Sequence, residues 1–216
     1  MRCAIAAGEL WSLGSVTSRQ SELESSSRMP RYVAVLTLVV MLGMVLTRVL
    51  MLRRKGVEAM RFGKIDTTDF LIPPCAVLYC YLVCAAAFNG PAVSTHAFFQ
   101  TEAIAWIGVA FCFAGLLLLL SSLVSFGQSF RVGIDTDHSD TLMTTGVFAL
   151  SRNPIYVAFA AILLGQCLVF PDWILLAYIG AGTWLFHRQV LREEAFLRTH
   201  YGQEYLEYCH RVRRYL

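Results

Sequence analysis

Residues 103–124 read AIAWIGVAFCFAGLLLLLSSLV, and no charged side chain interrupts them. A helix needs roughly 20 apolar residues to cross about 30 Å of hydrocarbon, so this stretch reads as a membrane span. Upstream, Val33–Leu52 is apolar except for Arg48 near its end, from where a long side chain reaches the interface. Phe70–Phe88 is apolar too, with Pro73 and Pro74 near its start, where a missing N–H is tolerated. Downstream lie Ile155–Phe170 and Trp173–Phe186, separated by Pro171-Asp172. At about 1.5 Å per residue these two reach only some 21 to 24 Å. They read as a short helical hairpin packed against the longer helices in a locally thinned bilayer. A buried re-entrant pair is the alternative. The expected fold is all-α and polytopic, with about five transmembrane helices.

The 216-residue chain agrees, being 56% hydrophobic and only 15% charged where a soluble domain has about a quarter of its residues charged. One membrane domain is expected over 31–216. The Ser-rich segment 1–30 lacks a signal-peptide core and reads as a disordered extension, or as sequence ahead of a later start at Met29. The basic residues do not interleave with aromatics along one face, which removes support for nucleic-acid binding. Of Cys3, Cys75, Cys80, Cys84, Cys112, Cys167 and Cys209, five lie in apolar runs. Without CxxC pairs or zinc-type spacing they read as packing residues, and no metal site is expected.

Lys and Arg set the orientation. Arg53, Arg54, Lys55, Arg61 and Lys64 follow the first span, Arg131 and Arg152 lie in 125–153, and Arg188, Arg192, Arg198, Arg211, Arg213 and Arg214 follow the fifth span. The loop 89–101 and the Pro171-Asp172 turn carry none. The positive-inside rule puts the basic segments in the cytoplasm and the N-terminus outside.

The unusual polar residues therefore share one side. Gly127, Gly133 and Gly146 break the 125–153 loop, and Asp135, Asp137, His138 and Asp140 crowd it, a composition that alone reads as a solvated linker. Its end is different. Asn153 is a good N-cap and Pro154 a good first helical residue. A helix N-terminus at a membrane surface offers N–H groups to an anion, and Arg152 adds positive charge beside it. Beyond the fifth span, Glu193 and Glu194 point about 100° apart on a helix. Glu194 has Arg198 at i+4, the favourable order for an ion pair. Glu193 has only Gln189 and Leu197 at those spacings and is the better ligand candidate. The aromatic and basic segment 201–214 suits an amphipathic helix at the headgroup boundary, there for packing.

Taken together, Thr141-Leu142-Met143-Thr144-Thr145-Gly146-Val147-Phe148 and Arg152-Asn153-Pro154-x-Tyr156 resemble the cofactor segment of the isoprenylcysteine carboxyl methyltransferases and the phospholipid methyltransferases related to them. Glu193-Glu194-x-x-Leu197, Tyr201-Gly202-x-x-Tyr205-x-x-Tyr208 and Val212-x-Arg214 fit the same family's tail. The resemblance covers roughly residues 100–216. It implies S-adenosylmethionine as methyl donor, held in a cytoplasm-facing pocket rather than on a Rossmann sheet. No GxGxxG follows a strand, and Gly180-Ala181-Gly182 reads as close helix packing.

Carried over by position, the resemblance implies that Asp140, Thr141, Leu142, Met143, Phe148, Asn153, Pro154, Ile155 and Tyr156 line the cofactor. Glu193 would hold its polar end. Arg152 and Glu194 are the catalytic candidates, and Arg131, Arg188 and Gln189 those that orient the acceptor. The chain departs from the family twice. Asn153 stands where His is frequent, which removes a titrating base, and Gln189 stands where the prenylcysteine enzymes carry an Arg.

The reaction expected is methyl transfer to a lipid or lipidated small molecule entering from the bilayer. A carboxylate acceptor is already ionised at neutral pH, whereas an amine (pKa about 10) or thiol (about 8.5) must first lose a proton. With no base clearly posed, a carboxylate is favoured. Two rival readings are an NADPH-dependent membrane reductase of the sterol-reductase type and a non-catalytic membrane scaffold or transport subunit. The membrane would be the inner membrane of a prokaryote or the endoplasmic reticulum of a eukaryote.

Overall fold

A computed structural model describes residues 28–51, 54, 72–88, 101–125 and 142–216, and the regular structure among them is helical. The elements are α1 (Arg28–Met51), α2 (Ile72–Ala87), α3 (Glu102–Ser125), a 3-10 turn (Gly146–Ala149), α4 (Pro154–Val169), α5 (Trp173–Tyr201) and α6 (Gln203–Arg211). Among the described residues α1 and α3 are long and apolar enough to cross a membrane, while α2 and α4 are shorter apolar helices. The 1–30 extension falls largely outside the described residues, as do Arg131, Asp140 and Thr141.

Two apolar clusters tie the helices together. Ala34 and Leu38 of α1, Tyr79, Leu82 and Val83 of α2, Val109 of α3, Val169 of α4 and Leu175 of α5 form one. Val49, Leu119, Leu123 and Ala158 form the other. Between α3 and α4 the backbones approach closely and run antiparallel. A Cβ on Gly165 would lie 2.5 Å from the Gly108 carbonyl oxygen, and one on Gly115 would lie 2.8 Å from the Ala158 carbonyl oxygen. Gly108 and Gly115 stand seven residues apart, so both face α4. The close approach expected at Gly180-Ala181-Gly182 is not found among the described residues. None of their atoms lies within 4 Å of a Cβ on Gly180, and Gly182 meets Leu163 at an ordinary 3.7 Å. Small residues permit close packing, but the facing helix decides where it occurs.

One polar set is buried among these helices. Tyr79 Oη donates to Gln166 Oε1. Gln166 Nε2 donates to the Ala34 carbonyl at 3.3 Å, and Thr37 Oγ1 donates to the same oxygen at 2.7 Å. In an apolar surrounding such groups satisfy one another. The Pro171-Asp172 turn is a helix cap, in which Asp172 Oδ1 accepts from the Ile174 N–H at 2.7 Å.

The fifth apolar segment does not stop at Phe186. α5 runs unbroken to Tyr201, because no glycine or proline intervenes before Gly202, whose φ of +54° ends it. Glu193 and Glu194 thus ride on the same rigid helix as the apolar segment. α6 turns its aromatic residues inward, with Tyr205 and Tyr208 buried against the protein.

Candidate functional site

The site gathers where the start of α4, the middle of α5, α6 and the segment 212–216 meet. Gly146, at a φ of +63°, opens the 3-10 turn, where a side chain would fall 2.8 Å from Ser125 Oγ at the end of α3. The turn buries Phe148, and the Phe148 carbonyl accepts from Tyr208 Oη at 2.6 Å. Leu142 and Met143 lie half-buried just before it.

Asn153 and Pro154 start α4 as their residue types predict, but the Asn153 side chain makes no cap bond. Its Nδ2 instead donates to Glu194 Oε1 at 3.4 Å and to the Arg214 carbonyl at 3.2 Å. The chain before it is laced to the segment beyond α6. The Arg152 N–H donates to the Arg213 carbonyl at 3.0 Å, and Ser151 Oγ donates to the Arg214 carbonyl at 3.4 Å.

Glu194 is the centre of this hub, and its partners differ from the Arg198 that helix spacing suggests. Arg214 donates to Glu194 Oε2 through Nε at 3.0 Å and Nη2 at 2.8 Å. Arg152 Nη1 lies 3.3 Å from Glu194 Oε1 and also contacts Cys209 Sγ. The Glu194 side chain is 4% exposed, that of Arg152 12% and that of Arg214 36%. Two guanidiniums therefore face one carboxylate, and the buried Arg152 Nε has no hydrogen-bond partner among the described residues. The Glu194 hydrogen bonds hold the Arg214 guanidinium above its ordinary pKa. Burial raises the Tyr205 phenol, the Glu194 charge adding to it, and burial pushes Tyr208 up to about 12.

One residue along, Glu193 has different surroundings. Tyr156 Oη donates to its Oε1 at 2.7 Å and Gln189 Nε2 donates to the same oxygen at 3.2 Å. Gln189 is thus a local partner, neutral rather than charged, and it props Glu193. Tyr156 and Phe159 of α4 both meet the Phe186 ring, each at 5.8 Å between centroids. Arg188 lies 5.7 Å over the exposed Trp184 ring, on another face of α5. The structure thus brings Phe148, Arg152, Asn153, Pro154, Ile155, Tyr156, Gln189, Glu193 and Glu194 to one region.

The residue the sequence reading left without a role is Arg214. It stands in the Val212-x-Arg214 motif, which is the one signal that could have drawn attention to it. Spacing offers none, since Glu194 and Arg214 meet only because the chain reverses at Gly202.

The chain is thus a helical bundle with apolar helices of spanning length, and its polar site is built from the α4 start and a Glu-Glu pair. Residues 103–204 match the family model described as phospholipid methyltransferase. The chain is also similar to protein-S-isoprenylcysteine O-methyltransferases. That of Schizosaccharomyces pombe is 30% identical over 117 residues, covering 53% of this chain and 48% of the relative. That of Homo sapiens is 29% identical over 123 residues, covering 52% and 42%. That of Tribolium castaneum is 25% identical over 126 residues, covering 56% and 45%. The chain spans about half the length of these relatives at most, and the resemblance read from the motifs holds for its C-terminal half.

Proposed function

We propose that the chain transfers a methyl group from S-adenosylmethionine to a lipid-like acceptor, at the cytoplasmic face of a multi-pass bundle of about five spans. The observation that carries this reading is the pairing of unlike groups on adjacent positions of α4 and α5. Glu193, held by Tyr156 and Gln189, offers a carboxylate to an ammonium group or to ribose hydroxyls. Arg152 offers a buried Nε–H with no hydrogen-bond partner among the described residues, beside a hub with one more cation than anion, to a carboxylate. The rings of Tyr156, Phe159 and Phe186 offer faces to an adenine or a cation. This donor set fits an amino acid joined to a nucleoside. Leu142, Met143, Phe148, Pro154 and Ile155 would line the same region, with Asp140 and Thr141 beside them in sequence.

The chemistry supplied by bound S-adenosylmethionine is a methyl group on positively charged sulfur. The protein's own part is to position, to hold charge and to exclude water. Asn153 cannot titrate and Glu194 is spent on two arginines, so neither serves as a base. His187, at 2.7 Å from the Tyr215 hydroxyl, lies off the Glu193 cluster. An acceptor that arrives ionised, a carboxylate, suits such a site, with an amine or thiol as the less favoured acceptors. Arg188 and Arg131 remain the candidates to orient it. Glu194, enclosed as it is, reads as a positioning residue for Arg152.

The test is titration calorimetry of the detergent-purified chain with S-adenosylmethionine, S-adenosylhomocysteine and NADPH. Both sulfur ligands should bind, and Glu193→Gln should weaken them at least about tenfold, the cost of one charge-assisted hydrogen bond. Binding of NADPH alone would replace this reading with a reductase. Well-folded protein that binds none of the three would leave the scaffold.

A further inference from the structure

We propose that Arg214 is a positioning residue, the pin of a latch by which the segment beyond α6 holds the start of α4 in its ligand-binding geometry. The inference rests on the methyl-donor reading and extends it to a residue that makes no ligand contact of its own. Three connections converge on residues 213 and 214. The Arg214 guanidinium grips Glu194 with two donors, at 3.0 and 2.8 Å. Its carbonyl accepts from Asn153 Nδ2 and Ser151 Oγ, at 3.2 and 3.4 Å. The carbonyl before it accepts from the Arg152 N–H at 3.0 Å.

The donors to these two carbonyls all sit on residues 151–153, the short connection between the 3-10 turn and α4. That connection has no other backbone partners across the fold among the described residues. Without the latch, the guanidinium of Arg152 would keep its ion pair with Glu194 while its backbone lost its tie. Both donors reach the single oxygen Oε2, and the planar guanidinium that carries them fixes direction as well as distance. A lysine at 214 would keep the charge and lose the fork.

The experiment uses the full chain in detergent, with S-adenosylhomocysteine as the calorimetric probe and backbone hydrogen exchange as the second readout. Arg214→Ala should weaken binding about tenfold or more, the cost of a loosened supporting shell. Exchange should rise at 151–153 and 212–216, with no change along the α3/α4 seam. Arg211→Ala removes an exposed charge at the end of α6, outside the latch, and should bind as the parent does. Arg214→Lys should bind at an intermediate strength.

Wild-type protein that binds while Arg214→Ala binds equally well overturns the latch and leaves the methyl-donor reading standing. Wild-type protein that does not bind overturns the methyl-donor reading, and the latch with it. Should Arg214→Ala loosen the seam as well, Arg214→Lys decides. Weakened binding with an intact seam supports the latch, and parental binding overturns it.

Discussion

Along α4, the contacts around Gly165 and those around Asn153 stand twelve residues, or about 18 Å, apart and are made from opposite chemistry. At Gly165 the helix meets α3 by backbone approach, with a Cβ position 2.5 Å from the Gly108 carbonyl oxygen and 2.7 Å from Cys112 Sγ. At Asn153 it meets α5 and the 212–216 segment through charges and directed hydrogen bonds. The difference follows from the surroundings. Among lipid-facing helices no hydrophobic effect drives one helix onto another, so close packing supplies the attraction. At a polar boundary, enclosed charge is tolerated only when paired, and pairing brings fixed geometry with it. One helix is thus fastened by shape at its apolar end and by directed bonds at the end where ligand chemistry is expected.

The largest effect should come from filling the seam. Gly165→Leu would drive a side chain into backbone and into Cys112, neither of which swings aside. Overpacking of this kind costs about 3 kcal/mol and upward where backbone must shift. Purified protein should elute as aggregate on size exclusion, or melt far below the parent. A variant that melts within a few degrees of the parent would show that shape does not fasten this end.

The hub should fail by charge. Glu194→Gln keeps the volume and removes the carboxylate shared by Arg152 and Arg214. Breaking an enclosed pair costs about 3 to 5 kcal/mol, and the lower end applies because the Arg214 side chain is more than a third exposed. Combined with Arg214→Ala, the losses should fall short of their sum by about 1 kcal/mol, since the second change removes a cation already stranded by the first. Additive losses would show that Glu194 and Arg214 act independently and would dissolve the hub as a unit. Thermal melts of the four proteins in one detergent decide it.

How much of this the sequence disclosed differs between the two ends. Every apolar stretch read as a span lies in a helix where described, the first four within a few residues of its bounds, because hydrophobic runs are a one-dimensional signal. The start of α4 was equally plain from Asn153-Pro154. The sequence reads as close helix packing at Gly180-Ala181-Gly182, whereas the close approach among the described residues lies at Gly108, Gly115 and Gly165. Spacing shows which residues share a face, not which helix that face meets. The unbroken α5 was readable from the lack of any breaker before Gly202. In the site, Glu193 and its neighbours on α4 came from motif resemblance, while the Glu194–Arg214 pair required knowing that the chain folds back. A contact across a reversal leaves no periodic trace.

The smallest effect lies at the rim of the hub, where Tyr208 donates to the Phe148 carbonyl at 2.6 Å. Tyr208→Phe keeps the ring and leaves that carbonyl without this donor, at a cost of about 1 kcal/mol near neutral pH. Alkaline pH sharpens the test. Burial, opposed in part by the Arg152 charge, moves the Tyr208 phenol from its ordinary 10.0 up to about 12 in the folded protein. The folded state therefore keeps a proton that the unfolded chain releases at lower pH. Stability from this group is complete below about pH 10 and declines as pH rises from there toward about 12. Tyr205 shifts in the same direction and contributes to both proteins alike. The stability advantage of the parent over Tyr208→Phe should then shrink between neutral pH and about pH 11, because only the parent carries this proton. Thermal melts at the two pH values measure it. An advantage that stays constant would mean that Tyr208 ionises as it does in the unfolded chain, and that the 3-10 turn is fastened to α6 by packing alone, as the seam is fastened to α3.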